Sequence, residues 1–293
     1  MPDFIRRFAP RPQSALLAPF VALIAALPSC APVDLLNATV PLGDVTVTRD
    51  VAYGSDPRQQ LDIYRPAQAA NAPVIVFFYG GSWDSGSRGE YKFVAAPLAR
   101  AGFLVIVPDY RLYPQVLYPT FLEDCAHAVA WSFAHAADYG GDPRHLVLAG
   151  HSAGAYNAAM LALNPTYLHD AGVSRDQLAG MVGLAGPYDF LPIEIPKVKA
   201  IFAPGDDGPV TQPITYVDGH NPPMLLMAGT DDDTVYPRNS TALAARIRDT
   251  GGKVEEKLFK GLGHIGLVTA IAPLFQPRAP VLQDIIRFAR DPK

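Results

Sequence analysis

Pro73–Tyr79 reads PVIVFFY, a continuous apolar run. A strand with one wet face alternates apolar and polar residues, so an unbroken run marks a strand covered on both sides. Phe103–Val107 has the same character, and His145–Ala149, Gly180–Ala185 and Met224–Ala228 read as further strands. Segments of helical periodicity separate them: Tyr91–Ala101, Thr120–Tyr139, Ser152–Leu163 and Asn239–Asp249. Val254–Phe259 is expected as the last strand and Pro280–Ala289 as the last helix. Strands alternating with helices predict an α/β fold, a mostly parallel central sheet with helices on both faces. Ahead of it, Val45–Val51 and Gln60–Tyr64 read as two strands joined by a turn at Gly54-Ser55-Asp56-Pro57. Thr120, with Glu123 three residues on, is the expected N-cap of its helix.

At 293 residues with 49% hydrophobic content, the chain is long enough for one large domain. The formal net charge is −4 and no long basic run exists, which argues against a nucleic-acid partner. The N-terminus reads as a targeting segment. Arg6, Arg7 and Arg11 form a positive region, and Ala15–Leu27 is apolar but short of the roughly 20 residues of a membrane span. Leu27-Pro28-Ser29-Cys30 resembles a bacterial lipobox, with Cys30 as the lipidated residue and Pro28 an unusual residue at its position. The expected organisation is a lipoprotein-type signal peptide over 1–29, a tether over 30–44, and a domain over 45–293. The expected location is the bacterial cell envelope, lipid-anchored at the membrane, with periplasmic or secreted protein as the alternative. Cys125 is then the one remaining cysteine and reads as a buried structural thiol.

Gly150-His151-Ser152-Ala153-Gly154 joins an expected strand to an expected helix. A sharp turn there holds a serine hydroxyl above the sheet, and glycines remove side chains that would clash. A serine nucleophile needs a base, and the base needs an orienting acid, both at the carboxyl ends of later strands. Asp231, Asp232 and Asp233 follow the Met224–Ala228 strand. Asp232 is the expected acid, from its spacing to Gly229 and Val235; its two neighbours read as turn formers or helix-capping acids. His264, between glycines after the last strand, is the expected base. The order Ser152, Asp232, His264 is that of α/β-hydrolases. Tyr79-Gly80-Gly81-Ser82-Trp83 follows the first buried strand, and its amides suit an oxyanion hole built from Gly81 and Ser82, with Ala153 as third donor. Phe190–Pro223 is rich in Pro, Gly and Asp and breaks the rhythm. It reads either as a short cap over the site or as a loosely ordered surface loop.

Gly80-Gly81-Ser82-Trp83, Asp109-Tyr110-Arg111-Leu112, Gly141-Asp142-Pro143, the Ser152 elbow and the Asp232 and His264 loops together resemble the α/β-hydrolase superfamily, over residues from about 45 to 290. More closely they resemble small carboxylesterases of the hormone-sensitive-lipase and bacterial feruloyl-esterase-like (BD-FAE-type) group, which also contains arylformamidases. The resemblance implies an α/β-hydrolase fold with a short cap insertion at 190–223 and a serine hydrolase of small or aryl carboxylic esters. Amide, arylformamide or peptide hydrolysis by the same triad is the alternative; a non-catalytic binding module is a further one. The family's loop motif is H-G-G-x-W, and Tyr79 stands here in place of its bracing histidine. Trp83 and Tyr79 are expected at the substrate, while Asp109 and Arg111 are expected to anchor loops. The partner implied is a small-molecule ester. No metal or organic cofactor is implied, and Asp206-Asp207 lack EF-hand spacing.

Overall fold

The computed structural model describes residues 32–205 and 208–293. A short helix α1 (Pro32–Ala38) precedes strands β1 (Thr46–Ala52), β2 (Gln60–Arg65) and β3 (Ala72–Phe78). Helix α2 (Lys92–Arg100), strand β4 (Leu104–Pro108), helix α3 (Thr120–His135) and strand β5 (Gly141–His151) follow. Next come α4 (Ala153–Leu163), α5 (Pro165–Asp170), β6 (Leu178–Leu184) and α6 (Pro196–Phe202). The chain closes with β7 (Met224–Gly229), α7 (Arg238–Asp249), β8 (Val254–Phe259), α8 (His264–Thr269) and α9 (Val281–Arg290).

The eight strands form one sheet in the order β1-β2-β4-β3-β5-β6-β7-β8. The first three of that order pair antiparallel, and every later pair is parallel. Helices cover both faces, as an α/β-hydrolase fold requires. Every residue of β4 is buried, and so is the stretch from Val74 to Phe78, which accounts for their unbroken apolar sequences. Helix α4 is buried along its whole length and correspondingly apolar all round. The register brings Phe78 beside Gly150 and Gly150 beside Gly183, so three strands end at one rim. Gly229 and Phe259 pair at the same end of β7 and β8. Ligands of open parallel sheets bind at this carboxyl rim.

Two local expectations are corrected. Thr120 is the first helical residue of α3 and not its cap; Pro119 is the cap, and its carbonyl accepts the Leu122 amide at 2.7 Å. Strand β5 starts at Gly141, because Ala72 and Pro73 of β3 pair with Gly141 and Asp142. Segment 190–223 contains α6 and several 3₁₀ turns, and Ile201 and Phe202 are buried. Ile193, Ile201, Phe202, Thr211, Gln212 and Val217 of this segment are buried, while Ile195 and Val210 are exposed. Asp206 and Asp207 lie outside the described residues, as do the expected signal peptide and Cys30.

Candidate active site

Ser152 sits between β5 and α4 with φ 55° and ψ −124°, a strained geometry for a residue with a side chain. Two glycines make the turn fit. A Cβ on Gly150 would lie 2.3 Å from the Gly154 carbonyl oxygen, and one on Gly154 would lie 2.1 Å from that of Phe78. The Ser152 amide donates to the Leu184 carbonyl at 2.9 Å, tying the turn to the end of β6.

His264 opens α8, with Gly263 as its extended N-cap. Its Nε2 lies 2.9 Å from Ser152 Oγ, and its Nδ1 lies 2.8 Å from Asp232 Oδ2. A carboxylate only accepts, so Nδ1 carries the proton and Nε2 is free to take one from the serine hydroxyl. Asp232 is 3% exposed, and its other oxygen accepts the Thr234 amide at 3.0 Å and the Val235 amide at 2.9 Å. Those two bonds fix the carboxylate plane. Asp231 and Asp233 are exposed, and Asp231 accepts from the Thr230 hydroxyl at 2.8 Å, as a local turn does. The structure thus brings Ser152, His264 and Asp232 into one hydrogen-bonded line and leaves the two neighbouring aspartates outside it.

The loop after β3 faces this line. Gly81, Ser82 and Trp83 have successive positive φ values of 129°, 50° and 60°. Among the described residues, nothing accepts a hydrogen bond from the Gly81 and Ser82 amides. The Ala153 amide begins α4, where N–H groups lack intrahelical partners. A Cβ on Gly80 would stand 3.0 Å from the Ser152 Cβ, so the loop packs directly against the elbow.

Tyr79 is corrected. Its side chain has no exposed surface, stacks on Tyr110 at 4.8 Å and accepts a 2.7 Å bond from Arg58. It braces the loop from beneath and does not line the cavity at Ser152. Arg58 also donates to the carbonyls of Gly86 and Tyr110, clamping both ends of the loop's surroundings. Trp83 is 3% exposed. It lines a cavity of about 130 Å³ together with Ser82, Ser152, Ala153, Phe190 and Val198. Its Nε1 donates to Asn157 at 3.0 Å, and the Asn157 amide reaches Cys125 Sγ at 3.5 Å. Cys125 is buried, and burial pushes its thiol pKa well up, which keeps it unreactive. Asp109 holds the Arg88 amide at 2.8 Å and Arg111 forks onto Asp124, both in anchoring positions.

Two further groups belong to this site: His151, which the sequence places inside the elbow in a packing or hydrogen-bonding role, and Tyr91, which it did not single out. His151 is 2% exposed, and its ring lies 4.8 Å from that of His264. Its Nε2–H donates to the His264 carbonyl at 3.3 Å, leaving Nδ1 to face the Tyr91 hydroxyl at 3.4 Å. Tyr91 in turn accepts the Gly80 amide at 3.1 Å. Burial, and then the neighbouring His264, push the His151 pKa down to about 3, so it stays neutral. Among the described residues, no group of His, Cys, Asp or Glu is arranged to hold a metal ion.

The sequence profile described as BD-FAE matches residues 61–247. A probable isoprenylcysteine alpha-carbonyl methylesterase of Oryza sativa subsp. japonica is 30% identical over 263 residues, covering 82% of this chain and 62% of its own length. Esterase LipC of Mycobacterium tuberculosis is 30% identical over 238 residues, covering 74% of this chain and 59% of its own length. The chain spans between half and two thirds of these curated relatives. Among solved structures, a truncated carbohydrate esterase from gut microbiota superposes with a TM-score of 0.72 at 21% identity, covering 86% of this chain and 96% of that one. Esterase 2 of Thermogutta terrifontis, phosphonylated by sarin, gives 0.69 at 24%, covering 85% and 94%.

Proposed function

The chain belongs to the BD-FAE family of α/β-hydrolases, and on that basis we propose that it is a serine hydrolase of carboxylic esters. The observation that carries this reading is the line Asp232 Oδ2, His264 Nδ1, His264 Nε2, Ser152 Oγ, with separations of 2.8 and 2.9 Å. In the proposed reaction, Ser152 Oγ attacks the ester carbonyl carbon while His264 Nε2 takes its proton. The carbonyl π electrons move to oxygen, and the amides of Gly81, Ser82 and Ala153 stabilise that charge. The tetrahedral centre re-forms its carbonyl, the bond to the alcohol oxygen breaks, and His264 protonates the departing alkoxide. Water, deprotonated by His264, then hydrolyses the acyl-serine. Asp232 holds the productive tautomer and balances the imidazolium charge.

The printed names of the relatives support an ester as substrate. The cavity of about 130 Å³ at Ser152 adjoins one of about 210 Å³, and Phe190, Ile195 and Val198 line both. The test is hydrolysis of p-nitrophenyl acetate by wild type and Ser152→Ala. Turnover is expected to fall by about 10³-fold or more, and an undiminished rate overturns the reading.

The same proposal extends to the N-terminal leader and to segment 190–223. Residues 1–29 serve as an export signal, Cys30 carries lipid, and segment 190–223 caps the site. The basic and apolar leader and Leu27-Pro28-Ser29-Cys30 support the first two, and Phe190, Ile195 and Val198 in the cavity wall support the third. Fatty-acid labelling that persists in Cys30→Ala refutes the anchor.

A further inference from the structure

Tyr91 and His151 bridge two parts of the site that lie far apart in sequence. The Gly80 amide meets the Tyr91 hydroxyl at 3.1 Å, that hydroxyl meets His151 Nδ1 at 3.4 Å, and His151 Nε2 meets the His264 carbonyl oxygen at 3.3 Å. One proton arrangement satisfies all three. An amide N–H only donates, so the Tyr91 oxygen accepts from Gly80 and its own hydrogen goes to Nδ1. A carbonyl only accepts, so Nε2 carries the hydrogen of the neutral ring. Burial keeps both groups in that state. It pushes the Tyr91 phenol up to about 12, and with the neighbouring His264 it pushes the His151 ring down to about 3.

The two ends of the bridge are the oxyanion loop and the base. Gly80 directly precedes Gly81 and Ser82, whose amides are assigned to the oxyanion, and the far end is the backbone of His264 itself. Gly81, Ser82 and Trp83 all have positive φ, so local preference does not hold the loop in shape. Asp232 orients the His264 ring through Nδ1, but that bond does not tie the ring to the loop. The bridge has a firm footing. Tyr91 closes the 3₁₀ turn Arg88–Tyr91, whose first residue pairs with Asp62 at 2.9 Å and with Asp109. The Tyr91 ring lies 5.4 Å from that of Phe93 and 5.6 Å from that of Phe77. Neither Tyr91 nor His151 lines the cavity at Ser152.

We propose that Tyr91 and His151 are positioning residues for ester cleavage, which together set the spacing between the oxyanion amides and the base without touching the reacting atoms. The inference rests on the hydrolase reading above and adds two residues to its machinery. Acylation needs the proton acceptor and the oxyanion donors in place at once, around one tetrahedral carbon. A misplacement of about 1 Å in such a set costs about 10²-fold in rate. A chain of bonds transmits position only while every link is made, so cutting either residue has the same effect as cutting both.

The test is p-nitrophenyl acetate hydrolysis by full-length wild type, Tyr91→Phe, His151→Leu, the double variant and His151→Gln. Sites are counted by the p-nitrophenol released on phosphonylation of Ser152, so misfolded protein drops out. Each of the first two variants is expected to lower kcat/KM by about 10- to 100-fold. The double variant is expected to fall within about threefold of the slower single one. A glutamine amide offers an acceptor and a donor in place of Nδ1 and Nε2–H, so His151→Gln is expected to recover most of what His151→Leu loses. Affinity for 1,1,1-trifluoro-2-hexanone, whose adduct with Ser152 carries an oxyanion, is expected to fall in step with kcat/KM, while 2-hexanone binds all variants alike. Single variants as fast as wild type, losses that multiply in the double variant, or an unchanged trifluoroketone affinity beside a fallen rate each overturn the proposal. Should the variants fail to fold, ¹⁵N NMR of the wild-type imidazoles at neutral pH decides: His151 is expected as the Nε2–H tautomer, and the Nδ1–H tautomer overturns the bridge. Ser152→Ala run alongside separates the two readings. If it hydrolyses the ester like wild type, the hydrolase reading itself has failed; if it is inactive while Tyr91→Phe and His151→Leu keep the full rate, the bridge alone has failed.

Discussion

Gly154 illustrates how narrowly the elbow is built. A methyl there would press on the carbonyl oxygens of Phe78 and Tyr79 at 2.1 and 2.5 Å, and both are backbone atoms of the neighbouring strand end. Gly154→Ala is expected to cost about 3 kcal/mol in chemical denaturation, at the upper end of overpacking penalties, and to misplace the Ser152 hydroxyl. The acid is tested by comparison. Asp232→Asn reverses the hydrogen-bonding preference at His264 Nδ1 and is expected to lower kcat by about 10⁴-fold; Asp231→Asn, at an exposed turn, is expected to leave kcat within twofold. His151 gives a pH prediction. Its folded pKa of about 3 lies below the ordinary 6.5, so the unfolded chain binds the proton more readily between those values. Its contribution to stability is fully present above pH 6.5 and is lost as pH falls toward 3. The Tm gap between wild type and His151→Gln is therefore expected to narrow over that window. Ser152 and Asp232 were legible because each follows an apolar strand with turn glycines beside it, and His264 because glycines flank it after the last strand. Tyr91 and Arg58 were not assigned their roles, because their partners lie far away in sequence and no local spacing marks such contacts.

The long elements were readable for a simple reason: burial on both sheet faces writes itself as unbroken apolar sequence, and β3 and β4 follow that rule. Short helices were harder. Helices α1, α5, α6 and α8 have too few turns to stand on propensity and form where tertiary contacts hold them. Some carried signals all the same. Asn164 accepts the Thr166 amide at 3.1 Å as N-cap of α5, with Pro165 in the first turn, and Pro196 likewise starts α6. Asn164→Ala is expected to lower stability by about 1 kcal/mol, read from the denaturation midpoint at unchanged slope. The glycines around His264 suggested a loop, yet Gly263 caps a helix whose first residue is the proposed base. A histidine at that position gains a fixed backbone, which a plain loop does not provide.

At the scale of the molecule, the mostly parallel sheet and the shared rim followed from the alternation of strands and helices, while the strand order and the start of the described chain did not. Residues 32–38 were expected within a tether and instead form α1, docked on the body through Asn37. Its side-chain Nδ2 donates to the carbonyls of Gly89 and Glu90 at 3.2 and 3.0 Å, and its side-chain Oδ1 accepts the Phe93 amide at 2.9 Å. A tether is inferred from the lack of periodicity, and one asparagine making several long-range bonds leaves no periodic trace. Asn37→Ala is expected to speed amide exchange in α1 while β3 to β7 keep their protection.

The strands at the two ends of the sheet order, β1 and β8, have a consequence for how copies of the protein treat one another. An unpaired strand edge is a template for cross-chain pairing and fibrillar growth unless something spoils it. Charge spoils both here. On β1, Arg49 pairs with Asp62 at 3.2 Å and Asp50 with Arg88. On β8, Glu255 pairs with Arg287 at 2.6 Å, Glu256 with Arg248 at 3.3 Å and Lys257 with Asp284 at 3.1 Å. A ninth strand laid along either border would have to strip water from these ions, so the borders act as gatekeepers against aggregation. Replacing Glu256 and Lys257 together by valine is expected to turn a monodisperse solution turbid on concentration, with the ester-cleaving face left as it was.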